Sequence, residues 1–182
     1  VGVITLIWLG KRREIPTGLI LDALAFSLPG SIAIGAIGSL FGGSFVGLAA
    51  KLPWAVPVVG FMGNRHPVGA YLAIAMLLVL SIVSYGEMYA KKRDWPLGLL
   101  GVWFFLLFSI TGFLLEFVVE RALYWGLSAN QWLLLLIFCQ TIGAFYVRGG
   151  GRSVIRPIVR KMVDTLLSFP KTLYGRIRSH AS

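Results

Sequence analysis

The sequence predicts an all-α integral membrane protein: a bundle of four full transmembrane helices plus an N-terminal partial span and a C-terminal amphipathic cytoplasmic helix. Three observations support this prediction. Hydrophobic residues make up 57% of the 182 residues and charged residues only 13%, about half the charged fraction of a soluble domain. The apolar residues occur in long runs, and the mean hydropathy is +0.82. The positive charges lie between and after these runs.

The first element, Val1 to Gly10, is apolar but too short to cross a bilayer alone, and it precedes a basic cluster. A signal peptide carries its charges before its apolar stretch. We therefore expect the second half of a span here. An apolar run of about 20 residues crosses roughly 30 Å of hydrocarbon as a helix and satisfies its own backbone. Four such spans are expected at about Leu19–Leu40, Pro67–Tyr89, Leu97–Val119 and Trp132–Val147.

The distribution of basic residues predicts the topology. If four spans separate the segments, 14 of the 17 Lys and Arg residues fall on one side and 3 on the other. Basic loops remain cytoplasmic, so this side is expected to face the cytoplasm. The three basic residues on the opposite side are Lys51, Arg65 and Arg121.

The tail after residue 148 is expected to form an amphipathic helix on the anionic cytoplasmic leaflet. Three glycines precede an apolar stripe that runs from Ile155 to Phe169. Docking on a partner protein is the alternative. The chain is thereby divided into a transmembrane domain, 1–148, and a basic tail, 149–182. The membrane-surface candidates of the tail are Arg152, Arg156, Arg160 and Lys161.

Small residues are concentrated in the first full span, where Gly35, Gly38 and Gly42 recur at helical spacing. Such a face favours close helix packing. The alternative is that it leaves room for a lipid head group or acyl chain. Pro29 lies in the same span and is expected to kink it.

Polar side chains at one span entrance could carry chemistry. Arg65 and His66 precede Pro67, and Tyr71 lies one turn further along. A cation and an imidazole at head-group level can hold a phosphate and move a proton. The alternative is a snorkelling arginine beside a capping histidine.

Carboxylates near the membrane are expected to have partners. Glu116 lies within the third span, and an acid at that depth is costly when unpaired. Arg121 is its candidate partner if Glu116 lies near the interface. Asp22 and Glu87 lie near basic loops, where salt bridges are expected. The single cysteine, Cys139, and two histidines give no disulfide and no metal site. No cofactor and no nucleic-acid partner is expected.

Several of these residues fall into motifs. Arg65-His66-Pro67 with Tyr71 matches Arg-His-Pro-x-x-x-Tyr, and Glu116-Phe117 matches the end of Phe-Arg-x-x-x-Glu-Phe. Through them, residues 1–148 resemble the prolipoprotein diacylglyceryl transferase family. These bacterial inner-membrane enzymes transfer a diacylglyceryl group from phosphatidylglycerol to the lipobox cysteine of preprolipoproteins. The resemblance implies a multi-pass protein of that membrane with a cytoplasmic C-terminus.

The family's charged residues are missing at corresponding positions. The family signature Gly-Arg-x-Gly-Asn-Phe aligns with residues Gly35 to Leu40, where alanine replaces the arginine and serine replaces the asparagine. A second catalytic arginine and a glutamine of the family motifs are replaced by glycines. A His-Gly-Gly element is expected upstream of Val1. An anionic leaving group needs fixed positive charge, and losing two arginines removes several kcal/mol of stabilisation. The degenerate catalytic positions are Ala36, Ser39, Ser44 and Gly112, and the Gln and Glu that flank the family tyrosine are replaced by Gly69 and Leu72.

The first hypothesis is therefore a pseudoenzyme of this family that acts as a structural or accessory subunit of a membrane complex. Its partners would be other membrane proteins and a phosphatidylglycerol-like phospholipid. An active transferase is the second hypothesis, and a small transporter, suggested by Glu116 alone, is the third. The lipid-binding candidates are Arg65, His66, Tyr71, Glu116, Gly38 and Gly42.

Overall fold

The structure, a computed structural model, describes residues 2–150. The predicted amphipathic helix, with Arg152, Arg156, Arg160 and Lys161, lies outside the described residues and stays a prediction. The elements in chain order are α1 (Gly2–Arg12), α2 (Thr17–Gly42), β1 (Val56–Pro57), β2 (Asn64–Arg65), α3 (Val68–Lys92), α4 (Leu99–Leu115), a 3-10 turn (Glu116–Val118), β3 (Leu123–Tyr124), β4 (Leu127–Ser128) and α5 (Ala129–Arg148).

The all-α membrane fold is confirmed for residues 2–150. Four of their helices are long and apolar enough to cross a membrane: α2, α3, α4 with its 3-10 extension, and α5. The 11 residues of α1 span only about 17 Å at 1.5 Å per residue. Its assignment as part of a span stays a prediction.

The core lies where α2, α3 and α4 meet. Ala25, Met76, Val83 and Phe104 are buried there. The buried alanines of α2, Ala25 and Ala33, let the neighbouring helices approach closely, which is how membrane helices gain packing energy. Large apolar side chains elsewhere on the helices are exposed and suit contact with lipid, among them Ile34, Leu78 and Leu136.

One end of the bundle, here called the basic end, carries Lys11 to Arg13 and Lys91 to Arg93. The carboxylate of Asp22 accepts hydrogen bonds there from the backbone N–H groups of Gly98, at 2.7 Å, and Gly101, at 2.9 Å. These groups begin α4, so Asp22 caps that helix from α2. No salt bridge of Asp22 is present among residues 2–150, where its two oxygens accept hydrogen bonds from backbone instead, so the predicted salt bridge is not found there. The one predicted for Glu87 is confirmed, with Lys91 at 2.8 Å.

Replacing Asp22 with asparagine should destabilise the bundle by about 1–2 kcal/mol, since the amide offers one acceptor oxygen where two N–H groups need partners. The measurement is the thermal unfolding midpoint in detergent. Glu87→Gln is the matched control, because the exposed pair with Lys91 is worth at most about 0.5 kcal/mol. Equal losses in the two variants would contradict the capping role of Asp22.

The opposite end, here called the hairpin end, carries two short β-hairpins. β1 pairs with β2, and β3 pairs with β4, both antiparallel. The segment 46–50 lies between the two connections and hydrogen-bonds to both. Leu48 donates its N–H to Val118, and His66 donates its N–H back to Leu48. The chain following α2 therefore ties the end of α4 to the start of α3.

The small-residue face of α2 behaves differently from the prediction. A Cβ built on Gly35 or Gly38 would meet no atom of the described chain within 4 Å. The predicted close packing is therefore wrong for these two glycines within residues 2–150. The face stays open for a lipid or for another helix. Pro29 is buried inside α2, which continues through it as a single helix.

Candidate functional site

A cavity of about 220 Å³ lies at the hairpin end, where α2, α3, α4 and α5 all contribute to its wall. Most of its wall is apolar. We call it the Glu116 cavity, after the buried glutamate in its wall. Four of the residues that line it have functional interest. They are Gly112, Glu116, Arg121 and Asn130.

Three donors hold the carboxylate of Glu116. Ser128 Oγ donates to Oε1 at 3.0 Å, and Asn130 Nδ2 donates to Oε2 at 2.9 Å. Arg121 Nε lies 3.2 Å from Oε1. The glutamate is 8% exposed, so these contacts offset the cost of burying its charge. The predicted pair of Glu116 with Arg121 is confirmed.

The start of α5 fixes two of these donors. Ser128 and Gln131 form a capping box, in which the Ser128 side chain accepts from the Gln131 N–H and the Gln131 side chain accepts from the Ser128 N–H. The same Ser128 hydroxyl donates to Glu116. This orientation follows from the Ser-x-x-Gln spacing. Neither Ser128 nor Asn130 was predicted as a site residue, although the Ser-x-x-Gln capping spacing marks the position of Ser128.

Arg121 brings a guanidinium to the cavity lined by Gly112, the position where the family resemblance predicts an arginine. The Arg121 side chain is 41% exposed, and its guanidinium lies 6.0 Å from the Phe45 ring. Its charge is already paired with Glu116. The cavity therefore contains a cation, but the ion pair as a whole is neutral.

Arg65 is engaged elsewhere. Its guanidinium forms an ion pair with Glu120, donates to the carbonyl of Gly47 at 3.0 Å, and stacks over Phe61 at 4.3 Å. Arg65 is not among the described residues that line the Glu116 cavity. These contacts fasten Arg65 to the connections of the hairpin end. Glu120 was missed by the sequence analysis, and no local pattern connects it to Arg65.

The predicted neighbours of Arg65 do meet each other. His66 Nδ1 lies 3.3 Å from the Tyr71 hydroxyl, which also accepts a 2.7 Å hydrogen bond from the indole of Trp54. His66 and Gly42 line a second cavity of about 380 Å³ between the end of α2 and β1. The lipid-binding candidates therefore divide: Glu116 lies at one cavity, His66 and Gly42 at the other, and Gly38 on the open face of α2.

Three of the degenerate positions, Ala36, Ser39 and Gly69, pack against one another and line neither cavity. Ala36 is 2% exposed, and a Cβ on Gly69 would lie 2.5 Å from its carbonyl oxygen and 3.0 Å from Ser39 Oγ. The Ser39 hydroxyl donates to the Ala36 carbonyl. The positions where the resemblance predicts arginine, asparagine and glutamine thus form a close contact between α2 and α3. Ser44 is exposed just beyond α2.

Comparisons with known proteins identify the family of this chain. The profile of the prolipoprotein diacylglyceryl transferase family matches residues 1–147. A phosphatidylglycerol–prolipoprotein diacylglyceryl transferase of Polynucleobacter asymbioticus is 32% identical over 70% of this chain and 50% of its own length. That of Cupriavidus necator is 30% identical over 86% of this chain and 61% of its own length. The chain thus spans between half and about three fifths of these relatives. It is a membrane protein that belongs to the prolipoprotein diacylglyceryl transferase family.

Proposed function

We propose that this chain has lost the transferase chemistry of its family. In its place, the chain acts as a structural or accessory component of a membrane complex and holds a phosphatidylglycerol-like phospholipid. The observation that carries the proposal is the contact between Ala36 and Gly69. A guanidinium at residue 36 needs space and an anion to face, but Ala36 is buried and its carbonyl leaves no room for a side chain at residue 69.

The charge at the Glu116 cavity supports the same proposal. Gly112 contributes no side chain, and the Arg121 cation is paired with Glu116. Stabilising a departing phosphoglycerol requires positive charge that is free to face it. A neutral ion pair in a mostly apolar cavity suits holding a lipid better than cleaving one.

Two features support an accessory role. Gly35 and Gly38 leave a small-residue face of α2 open to a helix from another subunit. The excess of basic residues at one end orients that end, and with it the C-terminus, towards the cytoplasm of the bacterial inner membrane. Copurification in mild detergent tests this part of the proposal. A chain that always runs alone would contradict it.

The decisive experiment is a transferase assay with phosphatidylglycerol vesicles and a lipobox peptide. We expect no lipidated peptide above the vesicle blank, because Arg121, the arginine of residues 2–150 that lines the cavity, is already paired with Glu116. The Cupriavidus necator relative, assayed in parallel, controls for the conditions. Mass spectrometry of the purified chain is expected to detect retained phosphatidylglycerol. Robust turnover would overturn the proposal.

An active transferase is the second candidate, and the position of Arg121 favours it. In that case Arg121 takes the place of the arginine missing at Gly112. Turnover that disappears in Arg121→Ala and returns in part in Arg121→Lys would support this candidate. The transporter hypothesis rested on Glu116, which three donors hold in place.

A further inference from the structure

The β3–β4 hairpin has a tryptophan where its turn favours a small polar residue. Its two turn residues, Trp125 and Gly126, have φ angles of 57° and 86°. Two-residue turns with positive φ at both positions strongly prefer Asn-Gly or Asp-Gly, and a bulky side chain in that region is strained. Trp125 is also 97% exposed. A side chain this exposed packs on almost nothing within residues 2–150, so burial of the indole ring there does not offset the backbone strain.

The loop of the other hairpin has the same character. Between β1 and β2, Val59 is 99% exposed and Met62 is 97% exposed. Residues 52–64 contain no charge, and neither do residues 122–147. The charges are confined to the bases of the hairpins, at Lys51, Arg65 and Glu120–Arg121. In each hairpin, therefore, apolar tips lie beyond charged bases.

The tip of the β3–β4 hairpin is continuous with the lipid-facing surface of α5. β4 leads directly into α5, and the Trp132 indole in the first turn of α5 donates to the Tyr124 carbonyl at 3.0 Å. The surface continues along α5 through exposed leucines such as Leu133 and Leu136. Tryptophan and tyrosine are enriched where a bilayer meets water, because their rings are apolar and their polar tips remain hydrated.

We propose that both hairpin tips insert into the lipid head-group layer at the hairpin end, with Trp125 as one anchor and Val59 with Met62 as the other. The occupant of this surface is the bilayer itself. The two anchors lie on separate connections and thus fix the height and tilt of the bundle at that end. This proposal does not depend on whether the chain retains transferase activity.

Tryptophan fluorescence in phosphatidylethanolamine–phosphatidylglycerol vesicles tests the proposal. The chain has six tryptophans, so the Trp125 signal is isolated by subtracting the spectrum of Trp125→Tyr. Val59→Trp reports the other tip, and Lys51→Trp, at a charged hairpin base, is the matched control. Each signal is measured with lipids brominated near the head group and with iodide present on both sides of the membrane. Unchanged elution from a sizing column verifies that the exposed substitutions leave the fold intact.

We expect brominated lipid to quench the Trp125 and Val59→Trp signals at least about twofold more strongly than the Lys51→Trp signal. Iodide should quench the Lys51→Trp signal more strongly than the other two. Iodide quenching of both tips without lipid quenching would place them in water and overturn the proposal. Protection of both tips from both quenchers would place them against protein and overturn it equally.

Discussion

Replacing Gly69 with alanine is expected to destabilise the bundle by about 3 kcal/mol, at the upper end of the cost of overpacking a core. The added Cβ would lie 2.5 Å from the Ala36 carbonyl oxygen, and a helix backbone cannot rotate that oxygen away. The helices α2 and α3 would have to separate, although they form much of the core. The unfolding midpoint in detergent measures the loss, and Gly69→Gln, the family's residue, should lose more.

Gly35→Ala is the matched control for this prediction. It changes glycine to alanine inside a spanning helix, but apart from the nearby backbone of that helix the new methyl group meets no atom of residues 2–150 within 4 Å. Alanine has the higher helix propensity, by up to about 1 kcal/mol, so the midpoint should stay or rise. Similar midpoints for Gly69→Ala and Gly35→Ala would show that α2 and α3 are not in close contact at these positions. The main support for lost catalysis would then disappear.

Replacing Glu116 with alanine should cost about 2 kcal/mol or more, because the buried Ser128 and the half-buried Asn130 lose their acceptor. The loss should be smaller than the 3–5 kcal/mol typical of breaking a fully buried ion pair, since the Arg121 side chain is 41% exposed and water can solvate it. Thermal unfolding in detergent provides the measurement. A loss within error of zero would contradict the role of Glu116 as the centre of the network.

Glu116→Gln separates charge from hydrogen bonding at the same site. The amide retains one oxygen acceptor but no longer neutralises Arg121, so the cavity gains a net positive charge. We expect the ratio of phosphatidylglycerol to phosphatidylethanolamine retained through purification to rise, as measured by mass spectrometry. Arg121→Gln should lower that ratio. Unchanged ratios in both variants would mean that the cavity does not bind the anionic head group.

The spanning helices were predictable from sequence, because a long apolar run has one way to satisfy its backbone in lipid. The predicted span Leu19–Leu40 lies inside the observed Thr17–Gly42, and Pro67–Tyr89 differs from Val68–Lys92 by one residue at its start and three at its end. The ends were less predictable, since hydropathy does not register caps. Asp22 illustrates the reason: its partners are backbone N–H groups 76 and 79 residues away.

The candidate site was predictable only in part. The pair of Glu116 and Arg121 could be anticipated, because the two residues are close in sequence. The contact between Ala36 and Gly69 could not be predicted, although both residues were identified as departures from the family motifs. Whether two such positions touch depends on how α2 crosses α3. Likewise, sequence gave no reason to join Arg65 to Glu120, since their meeting depends on how segment 46–50 pairs with both connections.

That pairing also affects how the Glu116 cavity can receive a guest. Phe45 and Val119 line the cavity. Their neighbours in sequence, Val46 and Glu120, are joined by a backbone hydrogen bond in which the Glu120 N–H donates to the Val46 carbonyl at 2.9 Å. The cavity rim is thus preorganised. An incoming molecule would not need to order these walls, and it would avoid the entropic cost of arranging flexible loops around itself.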